Sequence, residues 1–151
     1  NIEARGVKAE DVTVMQYPDY GVKLYGNAII ASPKILKENP EAVKAFLKAF
    51  TKGAKDVITD PAKAIETVKA RDGIINVELE VRRLKLAIDT VINSPDAHAE
   101  GFGQVKGPRL SLMASQVSDA FNTKTRVKVD DVWNGNFLPS TKELDILPKK
   151  K

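Results

Sequence analysis

The sequence predicts a helix-rich α/β fold, and two patterns support this prediction. The first is a strand–turn–strand stretch: residues 12–17 favour a β-strand, residues 18–21 contain the Pro, Asp and Gly of a turn, and residues 22–30 are an apolar run of strand length. The second is the region after Pro33, where apolar residues repeat with the period of an α-helix. Because strands and helices do not alternate evenly, we expect the later part of a larger α/β protein.

Capping residues place the helix starts. Ser32, Asn39 and Asp60 each precede a proline, and their side chains are expected to cap the first turn of the following helix. The predicted helices cover residues 33–38, 40–58, 61–71, 76–92 and 109–122, and a short helical turn is expected at Val132 and Trp133.

Other local features give further expectations. Gly53 lies in the middle of a predicted helix, where it is expected to allow a close approach by a neighbouring element. The apolar stripe of the helix over 109–122 is predicted to be Leu110, Met113, Val117 and Phe121. Residues 93–108 are predicted to be the least structured stretch, and the chain from Phe137 onward is predicted to be extended.

The composition is that of an ordinary globular protein of 151 residues, with 42% hydrophobic and 29% charged residues. Cysteine is absent, which excludes disulfides, thiolate catalysis and thiolate metal sites. The net charge is +4, but the lysines are spread along the helices and the few aromatics do not interleave with them, which argues against nucleic-acid binding. The chain opens with neither an initiator Met nor a signal peptide, so we expect a processed or truncated chain.

The best candidate for a ligand site is the turn and its flanks. All three tyrosines of the chain lie between positions 17 and 25, together with Asp19 and followed by Asn27. Tyrosine offers an apolar face and a hydroxyl, and Asp or Asn supplies oriented hydrogen bonds, which are the groups that a small polar ligand needs. The structural alternative is that the three tyrosines pack at strand edges and that Asp19 serves the turn.

The other candidate sites are weaker. His98, with Asp96 and Glu100 nearby, suggests a metal site or a general base, but one histidine with scattered carboxylates is a poor signal. Residues 101–107 are glycine-rich, but their spacing does not fit a phosphate loop, so we interpret them as a flexible connector. Trp133 is either a core anchor or a cleft wall. The sequence therefore predicts no catalytic residue, no metal and no cofactor.

Five short motifs point to a known family. They are Asp19-Tyr20-Gly21-Val22, Leu24-Tyr25-Gly26-Asn27, Asn39-Pro40, Phe46-Leu47 and Asp60-Pro61. In this order they resemble the substrate-binding proteins of ABC transporters, in the group that includes the thiamine-pyrimidine-precursor and the nitrate/sulfonate/taurine-type proteins. The resemblance covers residues 1 to about 95, and a C-terminal tryptophan, here Trp133, also fits.

The resemblance implies the C-terminal portion of a two-lobed periplasmic-binding-protein fold, of type II-like architecture. Residues 1–32 would form the crossover strands between the lobes. Residues 33–151 would form the helical part of a lobe with an extended C-terminal tail, and the N-terminal lobe segments would be missing.

The function implied by the resemblance is non-enzymatic. The chain would capture a small organic nitrogen- or sulfur-containing solute, such as a pyrimidine precursor, a sulfonate or a nitrate-type solute, and deliver it to an ABC permease from the periplasm or another exported location. The ligand-binding residues would be Asp19, Tyr20, Tyr25, Asn27 and Trp133. A truncated chain would expose apolar surface, so self-association is expected to be possible.

Two other function classes remain open from the sequence. The first is an enzyme of the pyrimidine-synthase type, which the resemblance links to a cysteine-rich motif that this chain lacks. The second is a basic helical module that binds nucleic acid or protein. Binding that survives about 0.5 M salt would argue against a mainly electrostatic nucleic-acid mode.

Overall fold

The structure is a computed structural model that describes residues 2–148. The helices within these residues are α1 (Pro33–Glu38), α2 (Pro40–Thr59), α3 (Pro61–Lys69), α4 (Val77–Ala87), α5 (Pro95–Glu100), α6 (Gly107–Ala120), α7 (Val129–Val132) and α8 (Thr141–Leu144). A π-helical turn, Ile88–Ile92, continues α4. Single 3-10 turns cover Glu3–Arg5, Ala9–Asp11, Tyr17–Tyr20 and Gly135–Phe137. In this part of the chain no helix is both long and apolar enough to cross a bilayer.

The predicted helix starts are mostly confirmed. The Ser32 side chain accepts a hydrogen bond from the Ile35 N–H at 3.3 Å, and Asp60 accepts one from the Lys63 N–H at 3.0 Å. The expectation for Asn39 is wrong, because its side chain makes no capping hydrogen bond to α2. Proline with its fixed φ begins the helix there without that bond.

The predicted strands do not form. Among residues 2–148 there is no β-strand, so the α/β expectation gives way to a helix-rich architecture in this part of the chain. Tyr17–Tyr20 is a 3-10 turn that ends at Gly21, whose φ of +83° is in the left-handed region that favours glycine. A strand requires a neighbouring strand to pair its backbone groups. For residues 22–30 the described chain offers no such neighbour. Side chains of α6 bind some of their backbone groups instead.

The described chain divides into two compact units. The first comprises the described residues up to Ile29 together with Lys106–Asn134, so it holds α6 and α7. α6 contacts α7, and the residues buried on α6 are Leu110 and Ser118. The apolar stripe predicted for α6 is only partly correct, because Phe121 at its C-terminal end is 77% exposed.

The second unit comprises Ile30–Val105 together with the described residues from Gly135 onward. α2 packs against α1, α3 and α8, and α3 packs against α4. The core cluster of this unit consists of Ile58, Ile88, Ile146 and Leu147. The segment after Phe137, predicted to be extended, instead contains α8 and places Leu144, Ile146 and Leu147 in the interior.

Two glycine positions differ from expectation. Gly53 has no neighbouring atom within 4 Å of a Cβ placed there, so the predicted close approach does not exist in the described residues. The close approach lies at Gly101, where an added Cβ would be 2.9 Å from the Cβ of Leu144. Residues 93–108, predicted to be least structured, contain α5 and end in the first turn of α6.

Candidate functional site

Within the first unit, α6 holds the segment that follows the tyrosine-rich turn. Arg109, Met113 and Gln116 are spaced by four and three residues, so they lie on one face of α6. The Arg109 guanidinium donates from Nε to the carbonyl oxygen of Lys23 at 3.0 Å and from Nη2 to that of Leu24 at 2.8 Å.

Gln116 extends this contact to the turn itself. Its side-chain Nε2 donates to the carbonyl oxygen of Gly21 at 3.3 Å. Together, Arg109 and Gln116 therefore bind three backbone carbonyls that a partner strand would otherwise satisfy.

Tyr25 is the anchor between this segment and the start of α6. Its hydroxyl accepts a hydrogen bond from the backbone N–H of Lys106 at 2.8 Å, and its own backbone N–H points to the Met113 sulfur at 3.3 Å. The Arg109 guanidinium lies 4.2 Å from the centre of its ring, a cation–π arrangement. The half-buried Tyr25 therefore positions the segment through its hydroxyl, its ring and its backbone.

The other predicted ligand residues of this segment are more accessible. Asp19 and Tyr20 are adjacent on the exposed 3-10 turn, and Tyr20 is 65% exposed. Asn27 is also exposed. These three side chains present a carboxylate, a phenol and an amide to solvent, which is the set of groups that stacks on and hydrogen-bonds to a small polar solute.

Trp133 lies in the same unit but makes different contacts from those of the tyrosine-rich segment. It is half-buried at the C-terminal end of α7, and its backbone N–H donates to the carbonyl of Val129 at 3.0 Å. Within residues 2–148 no hydrogen bond or ring contact joins it to Asp19, Tyr20 or Tyr25. Four of the five predicted residues thus lie on one segment, as their positions in the sequence require, and Trp133 lies outside it.

His98 lies in the second unit, on α5. Its Nε2 is 2.6 Å from the Oδ1 of Asn93, a hydrogen-bond distance. No group of three His, Cys, Asp or Glu side chains that could hold a metal ion occurs among the residues described.

Two open depressions are found in the second unit. One, of about 250 Å³, is lined by Ile58, Pro61, Lys85, Ile88, Asp89, Asn93 and Pro148. The other, of about 280 Å³, is lined by His98, Ala99, Glu100, Gly101, Thr141, Lys142 and Asp145. None of the five predicted ligand residues lines either depression.

Arg109 and Gln116 are not among the residues predicted from the sequence. The signal was weak, because a polar side chain on an amphipathic helix is usually solvated and the helix was interpreted through its apolar stripe. Only Met113 was singled out, as a core residue. Arg109 and Gln116 are seven residues apart and lie on one helix face, but this spacing does not indicate which backbone carbonyls their side chains reach.

A comparison with protein families gives one match. The family model described as NMT1/THI5 like matches residues 1–64. The matched stretch contains Asp19, Tyr20, Tyr25 and Asn27, and it ends before α6 and Trp133. No curated protein matches the chain.

Proposed function

We propose that the chain is the solute-binding component of an ABC importer, or a piece of one, because the family model described as NMT1/THI5 like matches residues 1–64. This match agrees with the resemblance drawn from the sequence. The observation that carries the proposal is that this match includes the whole tyrosine-rich turn and the segment behind it.

The proposed mechanism involves no covalent step. The solute is captured non-covalently between two lobes of a type II-like binding-protein fold. The bound solute shifts the population towards the form in which the lobes are closed, and that form docks on the membrane permease. Residues 1–32 then act as the crossover between the lobes. The protein works outside the cytoplasmic membrane, in the periplasm or an equivalent exported location.

The proposed solute is a small organic molecule that contains nitrogen or sulfur. Tyr20 offers a ring for stacking, while Asp19 and Asn27 offer a carboxylate and an amide for hydrogen bonds. An aminopyrimidine or an aminosulfonate presents the complementary groups, and a nitrate-type anion is the simplest alternative. Trp133 is proposed to join them as a wall of the site.

The test is calorimetry of the chain with 4-aminopyrimidine, 2-aminoethanesulfonate and nitrate. We expect at least one of them to bind, and we expect Asp19→Ala or Asn27→Ala to weaken binding by about 10-fold, the value of one hydrogen bond. Lys55→Ala, an exposed change on α2, is the matched control and is expected to bind like the wild type.

Two results would contradict the proposal. Failure of all three solutes to bind the wild-type chain would remove the solute-binding function. Unchanged affinity in both the Asp19 and the Asn27 variants would refute the assignment of these residues to the binding site, but it would not refute the solute-binding function.

A further inference from the structure

Gln116 has one end of its side-chain amide in use and the other end unsatisfied. Its Nε2 donates to the Gly21 carbonyl oxygen at 3.3 Å. Its Oε1 is shielded from solvent and has no hydrogen-bond partner in the described part of the chain. A buried acceptor without a donor is unfavourable, and folded proteins rarely retain one without a reason.

The position of this oxygen ties it to the candidate site. Gly21 ends the 3-10 turn that carries Asp19 and Tyr20, so Gln116 joins α6 directly to that turn. Because Nε2 already donates to Gly21, the part of the Gln116 side chain that lacks a hydrogen bond is the acceptor Oε1. The chemical group that completes it is therefore a hydrogen-bond donor.

We infer that Gln116 is a specificity residue of the proposed solute site, and that its Oε1 accepts a hydrogen bond from an N–H or O–H group of the solute. This inference rests on the proposed function. Because Oε1 is shielded in this structure, the groups around it have to move for the solute to reach it, while the hydrogen bond from Nε2 to Gly21 is kept.

The inference can be tested with pairs of solutes in which one member carries N–H donors and the other carries methyl groups in their place. The pairs are 4-aminopyrimidine against 4-(dimethylamino)pyrimidine, and 2-aminoethanesulfonate against its N,N,N-trimethyl analogue. The wild-type chain is expected to bind the donor-bearing member about 10-fold or more tightly, because a site with a polar group left unpaired discriminates strongly against the analogue.

Two variants separate the acceptor from the contact with the turn. Gln116→Met keeps the length of the side chain but removes the acceptor, so the preference is expected to fall to about 2-fold or less. Gln116→Glu keeps an acceptor and loses the donor to the Gly21 carbonyl, so the preference is expected to persist. Gln104→Met makes the same chemical change elsewhere in the chain and is expected to leave the preference unchanged.

The outcomes are distinguishable from those of the proposed function. Binding of a solute by the wild type without discrimination within a pair overturns this inference alone, as does an undiminished preference in Gln116→Met. Tighter binding of nitrate, which has only acceptors, than of the amine-bearing solutes also overturns it. No binding by any solute refutes the proposed function, and this inference with it. Lack of discrimination by the wild type within both pairs overturns the inference even if Gln116→Met does not fold, and Gln116→Glu then supplies the second variant.

Discussion

Gly101 is the position where the structure makes the sharpest prediction about stability. Its φ of +103° with ψ of 159° is a conformation that residues with a side chain avoid. A Cβ added there would lie 2.9 Å from the Cβ of Leu144, which is only 1% exposed. Because the Leu144 Cβ is fixed to its backbone, rotation of the side chain cannot relieve the overlap. Gly101→Ala therefore forces the α5–α8 contact to open.

The size of the effect follows from two costs. Holding alanine in this backbone region costs about 1–3 kcal/mol. Overpacking against a buried neighbour costs about 1–3 kcal/mol more. Gly101→Ala is thus expected to lower the free energy of unfolding by about 2–6 kcal/mol, against a typical total of about 5–15 kcal/mol for a domain.

The measurement is urea unfolding followed by circular dichroism, with two glycines as controls. Gly103 has a φ of +80°, but a Cβ added there would have no atom of the described residues within 4 Å, so Gly103→Ala is expected to cost only the backbone strain of about 1–2 kcal/mol. Gly53 lies open in α2, so Gly53→Ala is expected to stabilise by about 1 kcal/mol. The reasoning is refuted if Gly101→Ala is no less stable than Gly103→Ala.

Three further predictions concern caps, anchors and pH. Tyr25→Phe removes the hydroxyl that accepts the hydrogen bond from the Lys106 N–H at the start of α6. It is expected to lower the free energy of unfolding by about 1 kcal/mol, measured by urea unfolding followed by tryptophan fluorescence. Asp60→Ala loses a helix cap and is expected to cost about 1 kcal/mol in urea unfolding, whereas Asn39→Ala, without a cap bond to lose, is expected to stay within about 0.5 kcal/mol of the wild type. The hydrogen bond from Lys48, followed by hydrogen bonds from Ser140 at the start of α8, lowers the pKa of Glu143 from 4.5 to about 2. The stabilisation from this carboxylate is therefore fully present above pH 4.5 and is lost as the pH falls towards 2, which is measured as a lower urea midpoint.

Each of these has a matched control. Tyr20→Phe removes a hydroxyl that makes no hydrogen bond to any other residue within 2–148, so a loss as large as that of Tyr25→Phe would contradict the anchor role. Glu143→Gln cannot titrate, and its stability is expected to change less between pH 4.5 and 2 than that of the wild type. The sign follows because the unfolded chain binds the proton at a higher pH than the folded chain does. An identical pH profile for both would contradict the role of this carboxylate.

The helices could largely be predicted from the sequence because their signals are local. Ser32 and Asp60 cap as expected, and α1 begins and ends at the predicted residues. The long helix predicted over 76–92 exists as α4 and its π-helical continuation. Asn39 shows the limit of this reasoning, since a good capping residue before a proline need not place its side chain on the helix.

The strands could not be predicted, because strand formation depends on a partner that lies elsewhere. Residues 12–17 and 22–30 have the composition of strands, but composition says only that a segment fits a half-buried sheet. The glycines show the same dependence on distant residues. Gly101 approaches Leu144, which is far away in the sequence, whereas a Cβ added at the helical Gly53 would have no neighbour within 4 Å among residues 2–148.

The candidate site was predictable in its exposed part and not in its support. Asp19, Tyr20 and Asn27 are polar or aromatic residues beside a turn, and the structure leaves them accessible as such residues usually are. The support comes from α6, which lies outside the stretch that matches the family. Its contacts with residues 21–25 span more than 80 positions of sequence, as in the bond from Lys106 to the Tyr25 hydroxyl.

This arrangement has a consequence for how the turn can move. A backbone ladder of a sheet holds every second residue with a repeated hydrogen bond, so a strand moves as a whole. Here the carbonyls of Gly21, Lys23 and Leu24 are held by two side chains, Arg109 and Gln116, and side-chain contacts can be released one at a time. The contact from Gln116, at 3.3 Å, is longer than the 2.8 Å bond from Arg109 to Leu24. The turn can therefore be released at Gly21 while Arg109 and Tyr25 keep the rest of the segment on α6.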